Sequence, residues 1–293
     1  MKRYFSAFVD ARTDLVREAD LLAWSLVRLG RVSPDDVILH VVEELEPSDF
    51  PVAFKMGVRF QRTPRWQAGD GNWLGLAHCN KIMQLLAGGL DEAASVLLLD
   101  CDVVVTQPVR EFRPGVSGRL AEHAFVPLAD FQEVYARAGY GFSLGRASQS
   151  GERIPDNWFN SGVIAIEGGV HRRVGEEWAR WATWLQENSE LPKIRRSIDE
   201  IALSLALKSG EFRYQRIDRR FNLPVGLPQP FWKDNDPVII HYMNHFNNGG
   251  VLRNVPRGKR FTVNYALRTN RRIKWLNRQL MEYRDMGGLF PQK

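Results

Sequence analysis

The chain has 293 residues, 44% of them hydrophobic and 25% charged, enough apolar side chain for a sizeable core, which excludes a disordered polypeptide. No apolar run approaches the roughly 20 residues that cross a bilayer. Asp10 and Asp14 interrupt the N-terminus before a signal-peptide core is complete, so a cytoplasmic location is expected. Two cysteines, Cys79 and Cys101, exclude a disulfide framework, while the net charge of +6 suits a handler of anionic diphosphates, a nucleic-acid binder or a membrane-surface protein equally well.

In chain order, Tyr4 to Val9 predicts an opening strand whose carboxyl end carries Asp10. Leu15, Ala19, Leu22, Leu26 and Leu29 recur at helical spacing up to Gly30, and Val37 to Val42 predicts a second buried strand. Leu74 to Leu86 has helical character and carries Lys81. Ser95 to Leu99 is a short continuous apolar run, the pattern of a strand covered on both faces, and it leads directly into Asp100-Cys101-Asp102. Further strands are predicted at Phe125 to Leu128, ending near Asp130, at Ser161 to Ile166, Tyr214 to Ile217 and Val238 to His241. Helices are predicted around Glu176 to Glu187, where Trp178, Trp181 and Trp184 read as core, and at Asp199 to Leu207. Gly139 to Asn157, rich in Gly, Ser and Arg without a period, predicts a loop or lid. This alternation implies an α/β sheet with ligands beyond the carboxyl ends of its strands.

Two carboxylates one residue apart at a strand end suit a hard divalent cation, which commonly takes one or two carboxylates plus substrate phosphates. Such pairs also form ordinary turns. Asp100-Cys101-Asp102-Val103-Val104 fits in addition a haloacid dehalogenase-type phosphohydrolase, in which Asp100 would be the nucleophile. The two readings differ in what the rest of the chain supplies.

Downstream come Phe159-Asn160-Ser161-Gly162-Val163, Asp199-Glu200-Ile201-Ala202-Leu203, Phe221-Asn222-Leu223-Pro224 and Ile239-Ile240-His241-Tyr242. With Leu97-Leu98-Leu99-Asp100-Cys101-Asp102, this series resembles the GT-A glycosyltransferases, most closely family 8, the glycogenin and bacterial galactosyltransferase group, from Tyr4 to roughly Phe246. The resemblance implies a Rossmann-like mixed α/β sheet flanked by helices in a catalytic domain over 1–255, and the strongly basic stretch from Pro256 reads as a helical C-terminal extension over 256–293. It also implies transfer of a hexose from a UDP-sugar, with the anomeric configuration retained. By that resemblance Asp100, Asp102 and His241 hold Mn²⁺ or Mg²⁺, Asp10 reads the nucleotide base, and Lys81 lies near the diphosphate or sugar. Asn160 lies near the donor sugar, Asp199 binds its hydroxyls, and Glu200 is a candidate nucleophile where many relatives carry Gln.

The sequence departs from the family after His241. The usual H-x-x-G-x-x-K-P-W is absent, and Lys233, Arg253 or another basic residue is left to replace its lysine at the phosphates. Bland readings stand beside the sharp ones: Asp10 as a turn cap, Lys81 as a solvated helix residue, Asp130 as a turn residue. Implied partners are the nucleotide-sugar donor and a glycan, lipid-linked or protein acceptor, with no nucleic acid. The basic segment around Arg268, Arg271, Arg272, Lys274 and Arg278 suggests peripheral contact with the cytoplasmic face of a membrane. A non-catalytic binding protein on a degenerate fold is a third reading.

Overall fold

A computed structural model describes residues 2–67, 76–121, 126–145, 153–188, 194, 197–225, 236–243, 246, 250–254 and 267–291. These form a mixed α/β fold with a mainly parallel sheet flanked by helices, divided into two compact units that interleave along the sequence.

The first unit comprises residues 1–4, 63–98 and 112–217. It holds the start of β1 (Arg3–Val9), α3 (Leu76–Leu86), most of β4 (Ser95–Leu99), β6 (Gly115–Leu120), α4 (Leu128–Arg137), β7 (Phe159–Glu167), α5 (His171–Asn188), α6 (Ile198–Ser209) and β8 (Tyr214–Arg216). Its strands run in the order β4-β7-β6-β8, with β7 antiparallel and β8 parallel to β6. The Ser95 N–H donates to the Lys2 carbonyl at 2.9 Å, tying β4 to the chain entering β1. Trp178, Trp181 and Leu185 of α5 are buried with Ile201, Leu203 and Leu205 of α6, which bears out the reading of those tryptophans as core.

The second unit comprises residues 5–62, 99–111 and 218–293. Here β1, β2 (Val37–Val41) and β3 (Arg59–Arg62) run parallel in the order β3-β2-β1. A small sheet joins β5 (Val103–Val105), β10 (Ile239–His241) and β9 (Leu223–Pro224). Leu21 and Trp24 of α1 (Thr13–Arg28) pack with Val104, Ile240 and Tyr242, and with Ile273, Leu276, Leu280 and Tyr283 of α7 (Leu267–Asp285). The α7 helix therefore buries one apolar stripe and leaves Arg268, Arg271, Lys274 and Arg278 exposed.

The expected strand at Phe125 to Leu128 is corrected: Phe125 lies outside the described residues, Pro127 caps a helix, and Leu128 opens α4. Asp130 accordingly sits in the first turn of that helix, where a carboxylate complements the exposed N–H groups. The competing signal was Phe131, Val134 and Tyr135, a helical spacing on the buried face. Strand β6 had no apolar run to announce it. Its Gly118 abuts the Phe159 ring, and a Cβ there would come within 2.7 Å of it. Between residues 139 and 157 the described residues contain no helix or strand, only a bridge between Leu144 and Pro155. Among the described residues no helix is long and apolar enough to cross a membrane.

Candidate functional site

In the second unit the chain leaves the fully buried run of β4, turns through Asp100-Cys101-Asp102 and continues as β5. β10 pairs antiparallel to β5 with His241 opposite Val103, and the Tyr242 N–H donates to the Asp102 carbonyl at 3.0 Å. That register brings the imidazole to the acidic pair: His241 Nε2 lies 3.0 Å from Asp102 Oδ1. One ligand atom from each of Asp100, Asp102 and His241 falls within 4.8 Å of the others.

The other imidazole nitrogen has its own partner. His241 Nδ1 is 3.2 Å from the amide oxygen of Asn222, a fully buried residue just before β9, which pairs with β10. An acceptor at Nδ1 places the proton there and leaves the Nε2 lone pair for a cation, the usual arrangement behind a metal-ligating histidine. Two carboxylates and an imidazole whose second nitrogen is engaged by Asn222 thus fit a divalent ion. Asn222 had been read only as part of a sequence motif; its link to His241 depends on the pairing of β9 with β10.

Asp10 ends β1, and its Oδ1 accepts the Ala11 N–H at 2.7 Å, so the turn-capping role is present. Glu18, unremarked in the sequence, is buried on α1. Burial and the like charges of Asp102, Asp14 and Asp100, opposed by Arg12, push its carboxyl up to about 8.

The first unit assembles the remaining candidates. Lys81, only 7% exposed on α3, donates to Ser161 Oγ at 2.8 Å and lies 3.4 Å from Asp199 Oδ2. The Ser161 hydroxyl in turn donates to that same carboxylate oxygen at 2.6 Å. Trp178 Nε1 donates to the Asp199 carbonyl at 2.8 Å, fixing the start of α6. Lys81 is therefore a buried partner of Asp199 rather than a solvated helix residue.

Glu200 accepts from Trp158 Nε1 and Asn160 Nδ2, each at 3.0 Å, and from the Ser161 N–H at 3.3 Å. Both acids occupy the first turn of α6. Burial would raise the carboxyl of Asp199, but Lys81, His78 and the Ser161 hydroxyl outweigh it and hold the group below the ordinary range. Burial and the charge of Asp199 push Glu200 up to about 7, against the pull of Lys81 and its hydrogen-bond donors. Ser161 and Trp158 are members of this cluster to which sequence reading gave no role, and His78 is exposed. Lys233 and His245 lie outside the described residues.

A raised carboxyl has a signed consequence. In the unfolded chain Glu200 ionises near pH 4.3 or so, whereas in the folded chain it keeps its proton to about 7. Its contribution to stability is therefore full below the unfolded value and is lost as pH rises through the folded one. Urea unfolding of Glu200→Gln is expected to show a flatter fall in stability between about pH 5 and pH 8 than the parent. Slopes are compared because Gln offers one acceptor fewer to Trp158 and Asn160 at every pH. Part of the parent slope will remain, since Glu18 acts in the same direction. Identical slopes would mean that Glu200 carries its charge in the folded state without penalty.

The fold is shared with solved glycosyltransferases. Mouse xyloside xylosyltransferase 1 aligns with a TM-score of 0.53 at 12% identity, over 87% of this chain and 99% of that one. The galactosyltransferase LgtC in complex with donor and acceptor sugar analogues aligns with a TM-score of 0.52 at 13% identity, over 96% and 99%. An active-site mutant of LgtC gives 0.54 at 13% identity over the same shares. These likenesses show a GT-A fold, in which the phosphohydrolase reading of Asp100 finds no support. A search of curated protein sequences finds no match. The Rhodobacterales glycosyltransferase domain matches residues 7–211, well over half of the polypeptide and including both acidic clusters, and the chain belongs to that family.

Proposed function

We propose that this glycosyltransferase moves a hexose from a UDP-sugar to a hydroxyl acceptor in the manner of family 8, with Mn²⁺ or Mg²⁺ held by Asp100, Asp102 and His241. The observation that carries the reading is the convergence of three ligand atoms within 4.8 Å, with His241 Nδ1 3.2 Å from the Asn222 amide oxygen. When bound, the cation supplies positive charge for the departing diphosphate, so the leaving group needs no proton.

The chain's own residues do the rest. Asp10 reads the nucleotide base. Asn160 and Asp199 hold sugar hydroxyls, Asp199 being kept ionised by Lys81. Lys81 adds positive charge on the sugar side, and Arg253 or Lys233 replaces the family's missing lysine at the phosphates. Glu200 is the candidate nucleophile of a retaining reaction, with Trp158 and Asn160 fixing its orientation. The exposed basic face of α7 suits a lipid-linked acceptor at an anionic cytoplasmic membrane surface.

The test is a donor panel on metal-free protein. Hydrolysis or transfer of one UDP-sugar is expected on adding Mn²⁺ and is lost again with chelator. A fluorinated analogue of that donor should label Glu200 in a peptide map, and near-normal turnover by Glu200→Gln would reject the covalent route. Phosphate release from simple phosphomonoesters with every sugar donor untouched would sink the whole proposal.

A further inference from the structure

Glu18 is only 5% exposed, and among the described residues no hydrogen bond or ion pair engages its carboxyl group. Its place follows from the way α1 lies along β5. The Ser25 hydroxyl accepts the Val105 N–H at 3.0 Å, and Gly30, just past the helix, abuts the Val105 side chain. Glu18 precedes Ser25 by two helical turns, about 10 Å. Asp102 precedes Val105 by about 10 Å of extended chain. The two spans match in length, and Asp102 and Asp100 are among the charges that act on Glu18.

A second group points the same way. Tyr242 follows His241, is fully buried, and its hydroxyl has no hydrogen-bond partner among the described residues. Its backbone N–H is bonded to Asp102, and its hydroxyl lies in the field of Glu18 and Asp102. Burying a phenol hydroxyl without a partner among the described residues is costly, and such a group is normally satisfied by an ordered water or an ion.

We propose that Glu18 is a positioning acid of the metal centre: it accepts a hydrogen bond from a water carried by the cation, the Tyr242 hydroxyl contacts that same water, and together they tighten the hold on the ion. The inference rests on Asp100, Asp102 and His241 being the ligands. A cation held by protein and diphosphate oxygens commonly keeps water in its remaining positions, and carboxylates that orient such groups contribute to affinity.

Titration of the unliganded protein with Mn²⁺, read by the loss of the free-ion EPR signal, tests it without any sugar donor. Glu18→Gln is expected to bind about tenfold more weakly and Tyr242→Phe about threefold, Glu18→Asp recovering part of the loss, while Asp102→Asn shows no binding. The Mn²⁺-induced rise in Tm should shrink in Glu18→Gln, although its metal-free Tm stays at or above the parent value. Parent-like affinity in both Glu18→Gln and Tyr242→Phe overturns the role of Glu18, and the ligand set stands if Asp102→Asn still fails to bind. A parent protein that takes up no Mn²⁺, or an Asp102→Asn protein that binds normally, overturns both. If Glu18→Gln does not fold, Tyr242→Phe decides alone, its threefold loss supporting the assignment and parent-like affinity rejecting it.

Discussion

Asp102→Asn is expected to reduce metal-dependent sugar transfer by about a hundred- to a thousandfold, the scale on which one charge-stabilising group acts in an active site. The reason is local. Asp102 Oδ1 stands 3.0 Å from His241 Nε2. Asparagine keeps the size and the backbone bond to Tyr242 but removes the negative charge. Asp100 and His241 would then face a cation alone, and an amide nitrogen turned toward Nε2 would compete for its lone pair. The change should appear in kcat/KM for the donor, with the circular dichroism spectrum and metal-free Tm unchanged. Parent-like turnover at saturating Mn²⁺ would remove Asp102 from the chemistry.

Lys81→Met is expected to have the largest effect on stability, about 3–5 kcal/mol, the usual result of removing one partner of a buried ion pair. Asp199 is almost wholly buried, and its carboxylate is held by Lys81 and by the Ser161 hydroxyl that Lys81 itself engages. Without the ammonium, a desolvated charge remains beside Glu200. Denaturant unfolding should record the loss, accompanied by a fall in Tm of roughly 10 °C or more. Lys81→Met/Asp199→Asn should recover part of it, because the double change removes the stranded charge. If Lys81→Met unfolds within about 1 kcal/mol of the parent, the pair is too well hydrated to matter.

The grouping of Asp100 and Asp102 with His241 was legible because both halves end continuous apolar runs and the family resemblance linked them. Ser95–Leu99 and Ile239–His241 are strands whose termini can be read from hydrophobicity alone, while the chemistry of the residues at those termini came from the resemblance. Glu18 was not legible for the opposite reason. It sits three and four positions before Leu21 and Leu22 on the same buried stripe, but a single charged residue in a helix reads as solvated unless its partner surface is known. Lys81 and Ser161 meet across a distance in sequence that no local pattern spans. α4 was missed because Phe125-Val126-Pro127-Leu128 looks like a short strand, and the proline that seems to end it in fact starts a helix. β6 was missed because Gly115 and Gly118 stand where strands usually carry branched side chains.

The antiparallel pairing of β5 with β10 has a bearing on biosynthesis. Both aspartates leave the ribosome long before the imidazole does, and Asn222, which orients that ring, emerges only shortly ahead of it. Until the late strand docks, the nascent polypeptide holds an acidic turn with no nitrogen ligand. If the proposed cation binds there, its preference for the finished triad over the isolated acidic half would favour the late strand in register.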